Sequence, residues 1–180
     1  VNPDSELLPV ARTGGVLLAL TGANSGLIAG TSALIATEGR TWETMTVRAP
    51  VFLRVRWPRM RIDRSRGSGS EPEKQLKKRE KALRTLEDAF HTARAYWQAR
   101  RSATAPSPDQ DVKWDALGPV LRGDLPVSVE AQTLAQISSA LDWARRERLQ
   151  IVLVGGTDAA QIADRLKAQR VPVILGSVFR

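Results

Sequence analysis

The sequence predicts an α/β protein whose parallel strands are joined by crossover helices, and three observations carry that expectation. The last third alternates in type: PVSVEA (126–131), TLAQISSALDWARRERL (133–149), IVLVGG (151–156), TDAAQIADRLKAQR (157–170) and VPVILG (171–176) read as strand, helix, strand, helix and strand. Strands this apolar, IVLVGG and VPVILG above all, joined by crossover helices belong to a parallel sheet covered by helices. The third observation is the charged segment 71–102, in which Leu76, Leu83, Leu86, Phe90, Ala93 and Trp97 recur at three- and four-residue steps, one apolar stripe on a long helix. Such units build an open doubly wound sheet or a closed barrel, and both put chemistry at the C-terminal ends of strands.

Taken in order, NPDSELLPVARTGG offers Asp4 or Ser5 as the cap of a short helix that Gly14 and Gly15 stop. Val16 to Leu20 is an apolar run of strand length that fits a strand buried on both faces, closed by the turn-rich TGANSG. In LIAGTSALIA, Gly26 and Gly30 suit a tight, close-packed loop, and Thr41 is placed to cap the short amphipathic TWETM. Val51, Leu53 and Val55 alternate with Phe52, Arg54 and Arg56, a strand with one wet side that Pro58 ends. Pro72 near the first helical position, Glu71 and Glu73 at the start and Arg100 and Arg101 at the end all fit a helix over 71–102. The stretch 103–111 is a linker, and 112–123 gives a short helix with Trp114, Leu117, Val120 and Leu121 inward.

Composition removes several function classes. The chain has 180 residues, 42% of them hydrophobic, enough for a sizeable core. It has no cysteine, which excludes a disulfide framework, a thiolate nucleophile and Cys-based metal sites. Its single histidine, His91, excludes a His-rich metal centre within these residues and reads as a surface or half-buried side chain. No run approaches the ~18–20 apolar residues of a membrane span. The net charge of +8 raises nucleic acid as a partner, and residues 48–66 hold seven Arg against one Asp, with Trp57 placed to stack a base. No nucleic-acid motif accompanies them, so a solvated basic loop is the leading reading. KQLKKREK (74–81) reads as the polar face of the long helix.

The strand ends supply the candidate site. Glu130 and Gln132 lie two apart and so on one side of a strand, Glu130 as a general base or hard-cation ligand and Gln132 as a substrate-orienting group. Gly155, Gly156 and Thr157 form a βα turn that can hold an anion, although Thr157 or Asp158 capping the following helix explains the turn without a ligand. Gly176 and Ser177 end the last strand.

Four stretches together, VNPDSELLPVARTGGV, SGLIAGTSALI with TWETMTVRAP, RGDLPVSVEAQTLAQISSALDWA, and IVLVGGTDAAQIADRLKAQRVPVILG, resemble the central part of an amidohydrolase-superfamily protein of the imidazolonepropionase-like type. The resemblance implies that residues 1–180 are part of one incomplete (β/α)8 TIM-type barrel, with 59–110 as a basic linker and long-helix insertion. It implies a parent that hydrolyses carbon–nitrogen bonds other than peptide bonds in small amides. Divalent metal, often Zn, activates water in such enzymes. This segment departs from the pattern, since Glu130-Ala131-Gln132 and Gly155-Gly156 stand where metal-ligating histidines are expected, so it holds no metal site of its own. Alternatives are a catalytically inactive barrel that binds or scaffolds, completed by the rest of the barrel chain, and a basic nucleic-acid module.

Overall fold

The computed structural model describes residues 2–64, 71–102 and 109–176. Among the described residues eight strands fall into two sheets. The larger has five strands in the order β2 (Ile28–Thr31), β5 (Leu53–Arg56), β6 (Val127–Ala131), β7 (Ile151–Gly155) and β8 (Val173–Leu175). From β5 to β8 every pairing is parallel and neighbours in space follow chain order, while β2 joins the edge antiparallel to β5. The smaller sheet is antiparallel, with β1 (Leu18–Thr21) and β4 (Thr46–Arg48) on either side of β3 (Ala33–Ala36).

Register explains which residues make the core. Leu53, Val127 and Ile151 lie side by side, as do Val55, Val129 and Leu153, and all of them are buried in one cluster with the helices. The helical side is built by α3 (Pro72–Arg101), α5 (Gly118–Arg122) and α6 (Leu134–Glu147). Leu86, Phe90 and Ala93 of the apolar stripe in α3 have no exposed surface, and α6 contributes Ile137, Ala140, Leu141 and Trp143. Trp143 is the hub, its ring centroid 5.2 Å from Phe90 edge-on and 5.3 Å from Trp57. Side chains alternate along a strand, so Arg54, Ser128 and Val152 form one row on the opposite face and Arg56, Glu130, Val154 and Ile174 the next.

The remaining helices are short. α1 (Leu7–Thr13) begins after Glu6, with no side-chain cap, instead of at Asp4 or Ser5. Before α2 (Trp42–Met45), Thr41 makes the expected cap as half of a capping box with Thr44. The expected helix over 112–123 is two, α4 (Val112–Asp115) and α5, broken at Ala116-Leu117 just before Gly118. There a Cβ on Gly118 would stand 2.3 Å from the Trp97 ring, whose indole N–H donates to Trp114 O at 2.9 Å.

Three expectations fail for physical reasons. The run 16–20 is not buried on both faces: Val16, Leu17, Leu18 and Leu20 are exposed, because its strand belongs to the small antiparallel sheet. LIAGTSALIA is not a loop but the strands β2 and β3; Gly30 still has φ +83°, the left-handed backbone that its residue type permits. The helix expected over 157–170 is a 3₁₀ turn at Ala159–Ile162 followed by α7 (Ala163–Ala168). No helix among the described residues is long and apolar enough to cross a membrane.

Candidate functional site

A cleft of about 900 Å³ opens at the C-terminal ends of β5 and β6. Its walls are Arg56 to Trp57 and Arg59 to Arg64 from the chain leaving β5, and Glu130, Gln132, Thr133 and Gln136 from the end of β6 and the start of α6. The strand polarity places it there: parallel strands end together, and the crossover helices begin beside those ends.

Glu130 faces the cleft from the row opposite the core. It is directly across from Arg56 in the β5–β6 register, and Arg56 Nε lies 3.3 Å from Glu130 Oε2. Arg56 also donates from Nη1 to Asn24 O at 2.8 Å, and Arg54 donates to Ala23 O at 2.9 Å. The two arginines of the wet side of β5 therefore tie the 22–26 turn to the mouth of the sheet. One oxygen of Glu130 is thus committed to this cation.

Gln132 does not stand beside Glu130 in a free pair. Its side chain lies over the next strand end, where it accepts from Thr157 Oγ1 at 2.9 Å, and a Cβ on Gly155 would come within 2.2 Å of its amide nitrogen. Gly155 has φ +97° and Gly156 φ +63°, so the backbone turns where other residues would be strained. Gly156 N donates to Ala131 O at 2.8 Å and Asp158 N to Gln132 O at 2.9 Å. The four expected binding residues Gln132, Gly155, Gly156 and Thr157 thus come together, but Gln132 fills the space over the glycine turn.

Capping also differs from expectation. Asp158 does not cap the element that follows it; its Oδ2 accepts from Leu134 N at 2.9 Å, at the start of α6. Thr133 and Gln136 form a capping box there, and Gln136 Nε2 reaches Trp57 O at 3.2 Å and Pro58 O at 3.3 Å. Gln136 was invisible as a site residue because its partners lie far away in sequence. Only its position three residues after Thr133, the spacing of a capping box, marks it. Of the last strand end, Gly176 N donates to Gly155 O at 3.2 Å, and Ser177 lies outside the described residues.

Trp57, expected as a stacking surface, is 5% exposed and packed against Trp143. His91 is exposed on α3. No group of three or more His, Cys, Asp and Glu comes together among the described residues. Among the described residues the cleft is lined by only two carboxylates, Glu130 and Asp63, and Glu130 is paired to Arg56, so these residues do not fit a divalent metal.

No family model matches the chain, and neither does any curated protein. Among solved structures it is similar to the crystal structure of an amidohydrolase from Thermotoga maritima MSB8, with a TM-score of 0.80 and 20% sequence identity. The similarity covers 98% of this chain and 46% of that one, so the chain spans less than half the length of that protein. At this identity the similarity is one of fold alone.

Proposed function

We propose that the chain is the central part of an amidohydrolase-like hydrolase of the imidazolonepropionase-like type, whose complete parent cleaves carbon–nitrogen bonds other than peptide bonds in small amides. The observation that carries this reading is the fold shared with an amidohydrolase over 98% of the chain. It is supported by the cleft, which opens at the strand ends where α/β enzymes work. Strands β5 to β8 run parallel in chain order with the core helices on one face, the arrangement of an arc of a (β/α)8 barrel. The rest of the parent chain would close the barrel over the opposite face, and 59–110 would be an insertion within it. In this reading Glu130 is the acidic group of the cleft, while Gln132 and Thr157 with the Gly155-Gly156 turn border the substrate. Zn or another divalent metal would be held by residues of the parent outside this chain.

A second reading has its own observation. Glu130 is held by Arg56, which favours a barrel that binds or scaffolds without catalysis. An assay of the complete parent on amides, lactams and dipeptides, with Zn or Mn supplied, separates the two. Turnover of an amide or lactam supports the hydrolase, and absence of turnover on every compound supports the inactive barrel.

A further inference from the structure

After Pro58 the chain runs along the cleft wall as Arg59-Met60-Arg61-Ile62-Asp63-Arg64. Its backbone is fastened to α3. Arg79 Nη1 donates to Met60 O at 2.8 Å; the Gln75 side chain accepts from Asp63 N at 2.9 Å and donates to Asp63 O at 2.8 Å. These bonds are made to main-chain atoms of the wall, which positions it while leaving its arginine side chains uncommitted. Arg59, Arg61 and Arg64 have no hydrogen bond or ion pair with another described residue.

The charges around the cleft do not cancel. Its lining holds four guanidiniums, Arg56, Arg59, Arg61 and Arg64, against the two carboxylates of Glu130 and Asp63, a balance of +2. Glu130 is already matched by Arg56. Like charges gathered at a concave surface repel one another, and a bound anion relieves that repulsion. The planar fork of a guanidinium fits two oxygens of one carboxylate or phosphate. Met60 and Ile62 add apolar surface, and Gln132 and Thr133 add polar groups beside it. Nucleic acid is the poorer occupant, because Trp57, the aromatic residue of this wall, is buried against Trp143 and offers no ring face to a base.

We propose that this cleft binds a small molecule bearing a compact dianionic group, a pyrophosphate or phosphate ester on one hand or a dicarboxylate on the other, with Arg59, Arg61 and Arg64 as its anchoring cations. The site goes beyond the hydrolase reading and does not rest on it: binding without turnover keeps this site and removes that reading, and turnover without anion binding does the reverse. The test is isothermal titration of the intact chain at low ionic strength with pyrophosphate and, separately, with succinate. The chain carrying Arg59→Ala, Arg61→Ala and Arg64→Ala is compared with one carrying Lys78→Ala, Lys81→Ala and Arg84→Ala, an equal change of charge on the exposed side of α3. Circular dichroism checks that both variants keep the fold, which the exposure of all six side chains favours. Saturable binding of either anion, weakened at least about tenfold by the cleft variant and unchanged by the control, is the expected result, and the tighter anion identifies the group. Binding of neither anion, equal weakening by both variants, or oligonucleotide binding that neither anion displaces would overturn the proposal.

Discussion

Arg56 and Glu130 lie opposite each other in the parallel register of β5 and β6, and their side chains close an ion pair of 3.3 Å at the mouth of the cleft. Both are substantially exposed, at 50% and 41% of the side chain, so solvent screens the pair and it adds little to folding. Replacing Arg56 with Ala is expected to change stability by no more than about 1 kcal/mol in urea denaturation. A loss of several kcal/mol would mean that the pair is structural and not part of the cleft's chemistry.

The contact between Gln132 and Gly155 gives a sharper test. Gly155→Ala places a methyl group 2.2 Å from the Gln132 amide at φ +97°, two separate insults. A loss of about 2–4 kcal/mol is expected, and adding Gln132→Ala should recover about 1–2 kcal/mol of it, since shortening the side chain removes the clash but not the backbone strain. Full recovery would show that the left-handed backbone costs nothing there, and no recovery that the two residues do not meet.

Gln136 joins the start of α6 to the end of β5 through the carbonyls of Trp57 and Pro58 while it completes the capping box. Gln136→Ala removes the side-chain bonds at a half-buried position, leaves the bond from Gln136 N to Thr133 Oγ1, and is expected to cost about 1–2 kcal/mol. Hydrogen exchange should speed up first at the N-terminal turn of α6. Unchanged protection there would count against the linkage.

Trp143 carries the contact between α3, α6 and β5. At 1% exposure, with Phe90 and Trp57 both against its ring, Trp143→Ala should cost about 3–5 kcal/mol. Denaturant midpoints measure this, and a cost below about 1 kcal/mol would mean that the three elements do not share one core.

How much of this was legible in the sequence depended on the range of the interactions. The strands β6, β7 and β8 and the helices α3 and α6 follow from local pattern, and their observed ends lie within about two residues of the expected ones. The cap at Thr41 was readable because both of its partners lie within one turn. β2 and β3 were hidden by glycines that look like loop residues, and the exposure of Leu18 and Leu20 depends on which sheet their strand joins. The pairing of Arg56 with Glu130, 74 positions apart, follows only from register between two strands separated by the long helix. For the same reason nothing local shows that the exposed basic loop 59–64 lines a cleft, and Asp158 reads as a cap for its own helix when it caps α6.

If the complete parent hydrolyses amides as proposed, its chemistry takes place in the cleft at the ends of β5 and β6, with Glu130 as an acidic group there. The direct measurement is kcat/KM for a non-peptide amide or lactam, in the complete parent and in its Glu130→Ala and Glu130→Gln variants. Turnover is expected in the parent, with a loss of about a hundredfold or more in both variants. Turnover that survives both substitutions undiminished would contradict it.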